Sequence, residues 1–129
     1  MTPLERARSL LGVPWKHQGR NPEIGIDCAG LLIYAFEVTG ETPSYGRDPH
    51  KGLMDATLER FLGPPVDGPM RPGDAVSMAY AGDVRHCGMI GDHPDGGLSL
   101  IHTDSIVGCV TEHRLDAKWL RRIRRVYRQ

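Results

Sequence analysis

The chain has 129 residues, and its 16 basic and 16 acidic side chains cancel at neutral pH. That length suits one domain, residues 1–129, with a single core; the balanced charge provides no global field to recruit nucleic acid or a membrane surface. The three cysteines, at positions 28, 87 and 109, make neither a CxxC pair nor an even framework, which excludes a disulfide scaffold.

No apolar run is long enough to span a bilayer. The charged start Met1-Thr2-Pro3-Leu4-Glu5-Arg6 lacks the apolar core of a signal peptide. The expectation is a chain made in the cytoplasm, which something else must carry if it acts outside. Residues 3–11 read as a short helix. Thr2 caps it, Pro3 takes the favoured first position, and Leu4, Ala7, Leu10 and Leu11 form its apolar stripe before Gly12. A breaker-rich loop over 13–22 leads into Gly25-Ile26-Asp27-Cys28-Ala29-Gly30-Leu31-Leu32. Here Asp27 is a good N-cap, and a helix runs from Cys28 to about Val38 and stops at Gly40. A loop over 41–51 and a weak helical pattern over 53–61 follow, broken by Gly63-Pro64-Pro65.

From Ala75 the texture changes to short strands, over 75–80, 84–90, 98–102, 106–111 and 120–126. Asp95-Gly96 is a hairpin signal between the second and third of these. Helices first and consecutive strands after imply an α+β fold, with N-terminal helices packed on a largely antiparallel sheet of about five strands. The basic end, 115–129, reads as a solvated edge strand. It lacks the interleaved aromatics of a nucleic-acid platform.

Cys28 falls in the first turn of its helix, where unpaired N–H groups and the helix dipole favour the thiolate. Asp27 partly opposes this, so a cationic neighbour has to complete the activation. The alternative is a small buried hydrophobe. Six histidines are available. His50, His93 and His113 read as surface residues, and His17 could line a site. His86 and His102 fall inside strands. If those strands pair about Asp95-Gly96, the two imidazoles become neighbours facing the thiol. His86 would then take the Cys28 proton, and His102 would orient His86. Backbone N–H groups at the helix start could stabilise an oxyanion. Period two sends Cys87 to the opposite face, with Met89 in the core, and Cys109 also reads as strand core. A zinc site built from Cys28, His86 and His102 is the rival use of these residues, but the short spacings of zinc motifs are missing. No metal and no cofactor is expected.

Gly25-Ile26-Asp27-Cys28-Ala29-Gly30-Leu31-Leu32 resembles the Asp-Cys-Ser-Gly helix start of the NlpC-type cell-wall cysteine peptidases. Arg71-Pro72-Gly73-Asp74-Ala75-Val76, His86-Cys87-Gly88-Met89-Ile90-Gly91 and Leu100-Ile101-His102 are similar to that family's strand motifs, in the same order. The resemblance implies a papain-like fold with Cys28 as nucleophile, His86 as base and His102 as orienting residue. It implies hydrolysis of peptidoglycan stem peptides, typically between γ-linked D-glutamate and diaminopimelate. Trp15, His17, Asp27 and Ala29 become candidates for substrate or oxyanion contacts. Trp15 stands where many members carry a tyrosine, and Ala29 replaces a common serine. The loop Pro14-Trp15-Lys16-His17-Gln18 resembles the phage and gene-transfer-agent branch, which implies tail proteins as partners and action at the wall from a virion or particle tail. The alternatives are a catalytically weak tail structural or adaptor module, and an amidase or acyltransferase acting on another amide.

Overall fold

The computed structural model describes residues 1–39 and 52–129. The predicted loop over 41–51, the stop at Gly40 and His50 lie outside them.

Helix α1 (Pro3–Ser9) begins as expected. The Thr2 hydroxyl accepts from Glu5 N, and Glu5 returns the bond to Thr2 N. Two short strands follow, β1 (Arg20–Asn21) and β2 (Gly25–Ile26), paired antiparallel. They are two residues each, too short to show a period, and the sequence gives no sign of them. Helix α2 (Cys28–Ala35) ends earlier than expected, with Glu37 at a φ of 53°. Helix α3 (Leu53–Leu62) stops at Gly63.

The main sheet contains β3 (Ala75–Tyr80), β4 (Asp83–Asp92), β5 (Leu98–His102), β6 (Thr111–Arg114) and, after the one-turn helix α4 (Ala117–Leu120), β7 (Ile123–Tyr127). Its order is β6-β5-β4-β3-β7, antiparallel throughout. The fold is therefore α+β, with the helices before the sheet as the sequence pattern predicts. Strands β3 and β5 have the expected bounds.

The fourth and fifth predicted strands need correction. Ile106 and Val107 do not begin a strand, because both their N–H groups donate to the Asp104 carboxylate in a turn. Ile106 is left 92% exposed, and the ladder starts only at Thr111. Cys109 forms an isolated bridge with Pro14 and is half-buried rather than strand core. Near the C-terminus, Asp116 caps α4 through Trp119 N, which delays β7 to Ile123.

The sheet buries apolar residues on both faces. Ala75, Cys87, Met89, Ile101 and Tyr127 meet the helices, which contribute Ala7, Leu10, Leu31, Leu32, Ala35 and Leu58. Val76, Met78, Ile90 and Leu100 make a smaller cluster with Trp119, Ile123 and Val126. Strand pairing between β3 and β4 is regular from Ala75↔Met89 to Met78↔His86, then shifts so that Ala79 opposes Val84. Arg85 is the extra residue of that bulge. Strand β7 is an edge strand, with Arg124 and Arg125 exposed, as the charge pattern implies. Arg128 turns back to grip Asp74 through two 2.8 Å bonds.

Candidate active site

The start of α2 is held from several sides. Asp27 is 4% exposed. Its carboxylate accepts from Gly30 N at 2.8 Å, Gln18 N at 2.8 Å and Arg20 at 2.9 Å. The cap charge is thus spent on donors of its own, and its unfavourable effect on the Cys28 thiolate is the least of the influences acting there. The first N–H groups of the helix, on Cys28 and Ala29, have no intrahelical acceptor.

Cys28 packs at the rim of the helix-side core and shares a cleft with His86, and both Cys87 and His86 act on its thiol. These are consecutive residues of β4 that leave opposite faces of the strand, and both bear on the sulfur at the start of α2. The Cys87 thiol, the His86 hydrogen bond and the His86 charge together lower the Cys28 pKa to about 5, against the opposing effect of burial. Burial, and then the Cys28 thiolate itself, push the Cys87 thiol well up, so Cys87 stays the donor.

His86 and His102 are brought together as the hairpin register requires. Ile90 opposes Leu100, and the same face continues to His86 on one strand and His102 on the other. His86 Nε2 lies 2.9 Å from His102 Nδ1. His102 is 1% exposed. Burial, together with the neighbouring His86 and His113, lowers its pKa to about 3, so it stays neutral. Its second nitrogen, Nε2, lies 2.8 Å from His113 Nε2, and His113 Nδ1 meets the Arg114 carbonyl at 2.9 Å. His113, expected at the surface, is half-buried, and both its ring nitrogens are engaged. Thr111, not His113, opposes His102 on β6, which makes His113 the diagonal neighbour on the same face. Trp119 covers this row, its ring 4.7 Å from that of His102 and 5.4 Å from that of His113.

An open cleft of about 630 Å³ exposes Cys28 and His86 to substrate, with Trp15, His17 and Asp27 on its wall. Ala29 is different. Its methyl is buried in the core against Leu32 and Leu58, so only its backbone N–H can serve the site. The far wall carries Lys118 and Arg122. The Arg122 guanidinium sits 4.6 Å from the ring centres of both Tyr80 and Trp119, a stacked cation at the cleft wall.

Solved structures share this architecture. The NlpC/p60 domain of the peptidoglycan hydrolase SagA matches with a TM-score of 0.67 at 18% identity, over 99% of this chain and 97% of that one. An NlpC/P60-family protein from Bacillus cereus ATCC 10987 matches with a TM-score of 0.67 at 20% identity, over 98% of this chain and 38% of that one. The fold is that of the NlpC/p60 domains. A protein from Staphylococcus aureus subsp. aureus Mu50, described as similar to a lipoprotein of the NLP/P60 family, gives a TM-score of 0.62 at 16% identity, over 98% and 40%. The chain spans about two fifths of the length of these last two. No protein-family model and no curated protein matches the sequence.

Within this NlpC/p60 fold, His86, His102 and Asp104 are the described residues whose ligand atoms come within 4.8 Å of one another, close enough to hold a metal ion. Most of their ligand atoms are already engaged. The two imidazoles share one bond, His102 Nε2 serves His113, and Asp104 accepts from two backbone N–H groups. A cation there would have to break that network. Cys28 with His86 and His102 instead has the layout for thiol activation: a lowered thiol pKa, a base and a neutral orienting group. Among the described residues, no helix is long and apolar enough to cross a membrane.

Proposed function

We propose that this chain is a cysteine peptidase that hydrolyses peptide bonds in peptidoglycan stem peptides. The observation that carries the reading is Cys28 and His86 on one cleft, with the thiol pKa lowered in part by His86 and His86 Nε2 held 2.9 Å from His102 Nδ1. Cys28 gives its proton to His86, and the thiolate attacks the scissile carbonyl carbon. The oxyanion turns toward the N–H groups of Cys28 and Ala29. The His86 imidazolium then protonates the leaving amine, and a thioester remains on Cys28. His86 deprotonates a water that attacks the thioester, which releases the new carboxylate and restores the thiol.

The bond we assign lies between γ-linked D-glutamate and diaminopimelate. Such a peptide carries free carboxylates, and the cations Lys118 and Arg122 on the cleft wall suit them. The likeness of the fold to the NlpC/p60 domain of a peptidoglycan hydrolase supports the substrate class. The resemblance of the Pro14–Gln18 loop to the phage and gene-transfer-agent branch supports delivery on a particle tail, with tail proteins as partners.

Purified protein incubated with sacculi is expected to release stem-peptide fragments, and mass spectrometry of the fragments identifies the bond. Cys28→Ala is expected to abolish release. Release that survives the substitution refutes the nucleophile. Ligated products would transfer the assignment to acyl transfer, and an unreactive thiol with no products would transfer it to an adaptor role.

A further inference from the structure

The hydrogen-bond row from His86 to Arg114 has a direction, and its far end sets it. A backbone carbonyl can only accept. His113 Nδ1, 2.9 Å from the Arg114 carbonyl, therefore carries a hydrogen. In singly protonated His113 the other nitrogen, Nε2, is then an acceptor. The atom 2.8 Å from it, His102 Nε2, must donate. His102 is neutral, so its Nδ1 is bare and accepts from His86 Nε2 at 2.9 Å. The ring nitrogen of His86 left to face Cys28 is Nδ1, and it is free to take the thiol proton.

We propose that His113 is a positioning residue that fixes the hydrogen of His102 on Nε2 and so sets the polarity of the bonds that activate Cys28. The inference rests on reading Cys28 and His86 as a nucleophile–base pair. With the hydrogen of His102 on Nδ1, His86 Nε2 would have to accept, and its own hydrogen would sit on Nδ1 against the sulfur. His86 could then neither receive the proton at that atom nor be stabilised as an imidazolium, because two N–H groups would face each other. Water cannot easily replace His113 in this task. His102 is 1% exposed, and Trp119 packs edge-on against its ring and at a tilt against that of His113.

The test uses ring-nitrogen chemical shifts of histidine-labelled full chain, together with the pH profile of Cys28 alkylation. Neither readout needs a wall substrate. Wild type is expected to show His102 with its hydrogen on Nε2 alone. His113→Phe keeps a ring but loses the acceptor. It is expected to give a mixed or reversed His102 tautomer and to raise the midpoint of the Cys28 alkylation profile by about one to two pH units, which cuts the thiolate fraction at pH 6 from about nine tenths to between about a half and about a tenth. His113→Gln places an acceptor oxygen near the former Nε2 and is expected to restore the wild-type tautomer and midpoint. A wild-type His102 protonated on Nδ1 overturns the proposal without any variant. So does a folded His113→Phe protein with unchanged tautomer and midpoint, or phenylalanine and glutamine variants that behave alike. Failure to release stem fragments from sacculi, with the tautomer pattern intact, counts against the wall substrate and leaves the polarity assignment standing.

Discussion

Replacing Cys87 by alanine removes the largest influence holding the Cys28 thiol at about 5 rather than its ordinary 9.0. A hydrogen bond to a charged group contributes about 1.5–3 kcal/mol, and S–H is a weak donor, so the lower end applies. At about 1.4 kcal/mol per pH unit, the alkylation midpoint should move from about 5 to about 6. It should not return to its ordinary range, because His86 still faces the sulfur. At pH 5 the thiolate fraction would fall from about a half to about a tenth. The more basic thiolate is about threefold more nucleophilic, so the raw rate at pH 5 drops only about twofold. A single-pH rate would miss the effect. The assay is therefore the full profile of iodoacetamide alkylation from about pH 4 to about pH 9, with peptide mass spectrometry separating Cys28 from Cys109. A midpoint that stays at about 5 in Cys87→Ala, or a wild-type midpoint near 9, would refute the account of how this thiol is activated.

Gly30→Ala should destabilise the protein by about 2–4 kcal/mol in urea unfolding, although glycine to alanine within a helix ordinarily stabilises by about 1 kcal/mol. The added methyl would collide with the Gly19 backbone carbonyl and press on Asp27 Oδ1 at 3.1 Å; a stabilised variant would contradict that packing. Acid should weaken the fold through His102. Its folded-state pKa lies at about 3, below the ordinary 6.5, so protonation favours the unfolded chain. The contribution is whole above about 6.5 and is lost as the pH falls toward about 3, at no more than about 1.4 kcal/mol per pH unit. Urea titrations across that window should show a slope that His102→Asn flattens, and identical slopes would exclude His102 as the source.

The elements legible in the sequence were those with a period or a cap. Thr2 with Pro3 announced α1, Asp27 announced the start of α2, and the alternation around Asp95-Gly96 put His86 and His102 on one face. Side-chain competition for the backbone was not legible in the same way. Asp104-Ser105 reads as a turn, but not as one whose carboxylate also takes the N–H groups of Ile106 and Val107, so the apolar residues there mimic a strand. His113 was misread because its neighbours Glu112 and Arg114 look like surface. Its role depends on a diagonal contact across β5 and β6 that requires the register to be known. Counting from His102 to His113 as one alternating strand would put them on opposite faces, because the step is odd; the shared face comes only from the β5–β6 register. Cys87 was assigned to the core correctly. Its influence on Cys28 was missed because a strict two-face picture does not foresee one thiol answering to consecutive residues of a strand.

The bulge at Arg85 separates two kinds of sequence freedom. Above it, the pairs Ala75↔Met89, Val76↔Gly88, Ser77↔Cys87 and Met78↔His86 run in unbroken register among buried residues and carry the base of the site with them. Below it, the tip around Ala81 and Gly82 joins the strands without bearing on that alignment. Insertions or losses at the tip can be absorbed by the irregular step, so lineages can reshape this rim of the cleft while the reacting groups keep their spacing.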